Sequence, residues 1–130
     1  MLISIHYYSP AEFTIAEHDC GWCEPRRSWG SESDIAAVRG DFQRLRENFV
    51  SRGIPVVIGE YGVLTEPVDR KDHASNLRWL ETVAGSALEI GACPILWDTS
   101  VKEMRFLDRM TGRFVDSAVG DMYRRLMEGV

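Results

Sequence analysis

The sequence predicts an α/β fold of βαβαβα order, three parallel strands in one open sheet, and three observations lead there. Short runs dense in apolar residues occur at residues 2–8, 56–62 and 93–97. Stretches with apolar residues three and four apart separate or follow them, as in helices with one buried face. Each connection between runs is long enough to carry a helix back over the sheet, which makes the strands parallel rather than hairpin-paired.

Taken in order, residues 2–8 read as a buried strand closed by Ser9-Pro10. Residues 11–30 hold Pro25, Gly21, Gly30, Trp22 and Trp29 with neither period, so they read as a long loop, a class of segment that is functional more often than decorative. Ile35, Val38, Phe42, Leu45 and Phe49 line one face of a first helix. Ser31 and Asp34 stand in capping-box spacing at its start, and Gly53 and Pro55 supply its stop. Residues 56–62 form a β-branched strand entering a glycine-flanked turn, with Glu60 at the strand's C-terminal end. A second helix is expected over residues 70–90, with Leu77, Leu80, Val83, Ala84, Ala87 and Leu88 inward and Trp79 packed, ending at Gly91. Residues 93–97 are the third strand, where Pro94 is tolerable near the beginning. Residues 103–114 look like an insertion with a turn at 110–113 and short hairpin flanks, before a last helix over 117–127.

A chain of 130 residues has room for one modest domain, expected to span 1–130. Its net charge of −5 is spread along the sequence, which gives no support to nucleic-acid or anionic-membrane partners. No apolar run approaches the roughly 20 residues that span a bilayer, and the N-terminus lacks the basic segment of a secretory signal, so the chain as written is expected in the cytoplasm. Cys20, Cys23 and Cys93 are an odd set and no complete disulfide framework. His18, Cys20 and Cys23 invite a zinc or redox reading, but a closed zinc site needs four ligands and the remaining thiol, Cys93, begins a distant strand. The expectation is no metal and no cofactor, with a local disulfide and plain loop thiols both open.

Parallel sheets collect ligands at the C-terminal ends of their strands. That edge carries His6, Tyr8, Glu60, Tyr61, Trp97 and Asp98. Aromatic faces cover the C–H faces of sugar rings, and a carboxylate among them can attack or stabilise an anomeric carbon. Singly, each has a plainer account: Glu60 as a strand-end carboxylate paired with a loop arginine, His6 as a satisfied core histidine, the tyrosines as sheet packing.

The ordered set is more specific. His6-x-Tyr8, Ile58-Gly59-Glu60-Tyr61-Gly62 and Leu96-Trp97-Asp98, with Ser9-Pro10-x-x-Phe13, Trp29-Gly30-Ser31 and Phe106-Leu107-Asp108-Arg109, resemble the glycoside hydrolase family 5 (cellulase-like) pattern over nearly the whole chain. The resemblance implies a partial (β/α)8 barrel made of the sixth to eighth strands, and a retaining endo-β-1,4-glucanase-like activity on a β-linked polysaccharide or oligosaccharide, secreted as the family is. It implies Glu60 as nucleophile, His6 and Tyr8 lining its pocket, and Trp97, Trp29 and Asp98 binding substrate.

Retention also needs a second carboxyl group about 5–5.5 Å away as acid/base. In the family that residue follows an asparagine, whereas here Asn48 precedes Phe49 and Asn76 precedes Leu77. The chain alone is therefore expected to show little or no turnover unless completed by acid/base strands. Two departures touch substrate details: Asp98-Thr99-Ser100 stands for the usual Asp-Asn-Gly, and Phe114 for a common tryptophan. Three strands cannot close a barrel, so the outer edges should pair with further strands or with copies of the chain. A non-catalytic carbohydrate-binding or self-assembling module is the alternative.

Overall fold

A computed structural model describes residues 1–17 and 21–129. The elements run β1 (Ile3–Tyr7), α1 (Ala11–Thr14), α2 (Glu32–Asn48), β2 (Val56–Tyr61), α3 (His73–Glu89), β3 (Cys93–Leu96), β4 (Leu107–Asp108), β5 (Arg113–Phe114) and α4 (Ser117–Glu128). β1, β2 and β3 lie side by side in that order, both pairs parallel, while β4 and β5 make a separate antiparallel hairpin. This is the α/β fold expected, with β2 central and, among the described residues, an unpaired edge on each outer strand.

One side of the sheet carries the core. Tyr7, Val56, Ile58 and Tyr61 pack there with Val38 and Phe42 of α2, Trp79, Leu80, Val83 and Ala87 of α3, and Val119 and Met122 of α4. Trp79 is fully buried, with Tyr7 stacked at 6.3 Å, and its indole N–H donates to Ser9 O at 3.0 Å. A buried indole needs such a partner. The opposite side of the sheet, with Ser4, His6, Cys93 and Ile95, is exposed.

Local chemistry sets the helix ends. Ser31 Oγ accepts from Asp34 N at 3.2 Å and Asp34 Oδ2 accepts from Ser31 N at 3.1 Å, the capping box read from the sequence. Such a cap is worth about 1 kcal/mol. Arg26 pairs with the same carboxylate at 2.6 Å; that hydrogen bond, against a smaller opposing effect of burial, holds Asp34 well below the usual carboxylate range. Asp72 caps α3 through Ser75 N at 2.9 Å, and Asp116 caps α4 through Ala118 N at 2.9 Å. Gly53 and Gly112 take positive φ values of 73° and 67° at the turns after α2 and between β4 and β5, where a side chain would be strained.

Two elements differ from the sequence reading. The stretch read as featureless loop contains α1, a single turn anchored by the fully buried Phe13 and Thr14. α3 begins at His73 instead of residue 70, because residues 68–70 form a 3₁₀ turn and Asp72 is the cap.

Candidate active site

Glu60 is the last residue but one of β2, and its orientation comes from an irregularity in the sheet. The register pairs Ile5 with Ile58, then His6 with Glu60, so β2 has one more residue than β1 across this step. The same shift appears against β3, between Ile58 and Tyr61. Strict alternation from the buried Ile58 would send Glu60 toward the helices. The extra residue, Gly59, resets the alternation and brings the carboxylate beside His6 on the open face. A Cβ on Gly59 would stand 2.8 Å from Ser4 Oγ, so glycine fits this crowded position. A Cβ on Gly62 would meet Met104 Sδ at 3.0 Å and Trp97 O at 3.4 Å, so glycine there admits the chain following β3.

Two side chains approach Glu60, both at Oε2. Tyr8, just beyond β1, donates its phenol proton at 2.9 Å, and His6 Nδ1 lies 3.3 Å away. Among the described residues neither contact involves Oε1, which leaves one carboxylate oxygen for a reacting atom. The Tyr8 phenol is pushed above the ordinary tyrosine range, first by burial and then by the hydrogen bond to Glu60 and its charge. The phenol is therefore the donor in its hydrogen bond to Glu60. His6 is largely exposed, its side chain at 59% against 22% for Glu60. Trp97 follows β3 and is 43% exposed, with its backbone N–H bonded to Tyr61 O at 2.9 Å. The open face thus joins a carboxylate, a phenol, an imidazole and an accessible indole at one end of a parallel sheet.

Three expected participants are committed elsewhere. Asp98 Oδ1 accepts from Phe106 N at 2.8 Å and Leu107 N at 3.1 Å, and Arg109 lies 3.6 Å from Oδ2. Burial alone would raise this carboxyl, but the backbone donors and Arg109 outweigh it and hold it below its usual value. Its side chain is only 9% exposed, so Asp98 shapes the loop after β3 instead of presenting a free carboxylate to a ligand. Trp29 is 5% exposed, stacked on Phe13 at 6.4 Å, and its backbone N–H donates to Ser75 Oγ at 3.0 Å; the ring belongs to the core and offers no open face to a sugar. Tyr61 turns inward, meeting the Tyr123 hydroxyl at 2.7 Å, and burial pushes its phenol up to about 12. His18 and Cys20, the start of the metal or redox reading, lie outside the described residues.

The Phe106-Leu107-Asp108-Arg109 motif is likewise explained by loop chemistry. Asp108 accepts from Met110 N at 2.9 Å and from the Thr111 hydroxyl at 3.0 Å, folding the hairpin turn, and Arg109 reaches back to Asp98 O at 3.3 Å.

Comparison with known proteins yields a consistent set. The family model for cellulase (glycosyl hydrolase family 5) matches residues 1–103. Endoglucanase B of Clostridium cellulovorans is 35% identical over 98 residues, covering 75% of this chain and 21% of that protein. A xyloglucan-specific endo-β-1,4-glucanase of Bacteroides ovatus is 28% identical over 126 residues, covering 87% of this chain and 24% of its own length. Among solved structures, a GH5-4 broad specificity endoglucanase from an uncultured bovine rumen ciliate superposes with a TM-score of 0.87 at 33% identity, over 99% of this chain and 40% of that one. The three parallel strands with their helices therefore form part of a (β/α)8 barrel, and the chain spans well under half the length of these relatives.

Proposed function

Because the chain belongs to glycoside hydrolase family 5, we propose that it supplies the nucleophile half of a retaining β-glucan hydrolase, with Glu60 attacking the anomeric carbon. The observation that carries this is the convergence of Tyr8 and His6 on a single oxygen of Glu60, at the C-terminal end of a parallel strand and on the open face. Tyr8 holds the carboxylate in place by its hydrogen bond, His6 stands beside the same oxygen, and Oε1 faces the sugar. Trp97 offers its accessible ring to the sugar at the cleavage point.

Attack by Glu60 displaces the leaving oxygen and gives a glycosyl ester, which water then opens with retention. Both steps require proton transfer by a second carboxyl group, which further barrel strands bring to the sheet's open side. The curated relatives are endoglucanases, and one is specific for xyloglucan; a β-1,4-linked glucan is accordingly the substrate class proposed here.

The test joins this chain to the first five βα units of the Clostridium cellulovorans relative and treats the product with a 2-deoxy-2-fluoro cellobioside, which traps glycosyl-enzymes. Mass spectrometry should locate the sugar on Glu60, and Glu60→Gln should abolish both trapping and turnover. Trapping on another residue, or turnover that survives Glu60→Gln, would overturn the assignment.

A further inference from the structure

We propose that Thr14 is the positioning residue that fixes Tyr8 against Glu60, a role that rests on the reading of Glu60 as the nucleophile. Thr14 ends the single turn of α1 and has no solvent exposure. Its hydroxyl oxygen lies 2.5 Å from Tyr8 O and 3.2 Å from Pro10 O. A hydroxyl has one proton to donate, and the nearer acceptor is the carbonyl of the residue whose phenol reaches Glu60. The carbonyl of Thr14, in turn, accepts from Leu64 N at 2.9 Å. Leu64 lies four residues beyond Glu60, in the segment that leaves β2.

One buried residue therefore touches both chains that meet at the site: the one leaving β1 with Tyr8, and the one leaving β2 after Glu60. These segments have no sheet register to hold them, since β1 ends at Tyr7 and β2 at Tyr61. Tyr8 is the first residue beyond that support, and its side chain must still meet Oε2 at 2.9 Å. The Trp79 indole fixes the next carbonyl, Ser9 O, and its ring meets Tyr61 of β2 at 6.4 Å, but its hydrogen bond goes to the β1 side. Of these two, Thr14 is the one that hydrogen-bonds to both segments. Thr14 is fully buried, and valine is its near-isostere without the hydroxyl donor.

The experiment reads Tyr8 itself. With 3-fluorotyrosine at position 8, ¹⁹F NMR follows ionisation of that phenol in the folded chain, without requiring turnover. In the unaltered chain ionisation is displaced upward by its surroundings. Thr14→Val should lower it by about one unit as the phenol loosens from Glu60, while Thr14→Ser, which restores the donor, should titrate close to the parent. A folded Thr14→Val that titrates with the parent overturns the proposal, as does a Thr14→Ser that shifts as far as valine. If Thr14→Val does not fold, Thr14→Ala and Thr14→Ser, which share the lost methyl and differ in the hydroxyl, carry the same comparison. In the parent chain the Thr14 hydroxyl proton must also exchange slowly and correlate with the Tyr8 carbonyl across the hydrogen bond; rapid exchange there overturns the role independently of any variant. Sugar trapping away from Glu60 would refute the enzymatic reading and leave the titration unchanged, so the two failures are distinct.

Discussion

Lys71 is a cation in a setting that favours its neutral form. It is 7% exposed, lies 4.7 Å over the Phe13 ring, and donates to Phe13 O and to Arg26 O. Burial lowers its pKa to about 8. Unfolded lysine titrates near 10.4, so between these values the unfolded chain holds more protons than the folded one and stability rises with pH. The expected outcome is a thermal midpoint that climbs from about pH 8 toward 10, and a Lys71→Met chain that lacks the climb; a flat parent profile over that window refutes it. Above about pH 10 the phenols of buried Tyr7 and half-buried Tyr8 and Tyr123, all raised, reverse the trend. Individual residues were unevenly legible in the sequence. Glu60, His6 and Tyr8 stand in a short ordered pattern at strand ends, and the structure brings those three together. Asp98 and Trp29 sit in equally conspicuous motifs, but what commits them is remote: backbone N–H groups eight and nine positions along for Asp98, a ring sixteen positions back for Trp29. Periodicity carries no information about such partners. Thr14 had no signal beyond standing next to Phe13.

At the level of elements, the sequence shows where the strands and helices lie more readily than how the strands mesh. The capping box of α2, the hairpin near the end and the three strands follow from local chemistry, and local chemistry is what a sequence displays. The bulge in β2 does not follow, because Val56, Val57 and Ile58 are all apolar and hide the alternation that would reveal an inserted residue. Only pairing with β1 shows that Gly59 is the extra member. Its bulk limit is testable. Gly59→Ala should cost on the order of 1 kcal/mol by crowding Ser4, measured by urea unfolding, and the cost should shrink in a Ser4→Ala background. Equal costs in the two backgrounds would show that the Ser4 contact is not the constraint. Deleting Gly59 removes the bulge altogether: Glu60 then follows Ile58 directly, and plain alternation still sends its carboxylate to the open face.

For the molecule as a whole, the core and the candidate site occupy opposite sides of one sheet. Among the described residues both outer strand edges are unpaired, and Leu2, Ile95 and Trp97 on or beside the open side are 56%, 48% and 43% exposed. Exposed apolar side chains next to free strand edges promote pairing between chains. Sedimentation of this chain at micromolar concentration should show self-association, and addition of the complementary barrel half should disperse it into a mixed pair; a clean monomer throughout would count against both. The separation of the two sides also bears on the order of events in assembly. Among the described residues, the side chains that contact Glu60, Tyr8 and His6, belong to this chain, and α2, α3 and α4 pack behind the sheet, so the carboxylate is oriented by contacts this chain supplies itself. Recovery of activity on mixing two folded halves would then be limited by their encounter, with a rate proportional to concentration, and would lack the concentration-independent lag of a chain that must first rearrange.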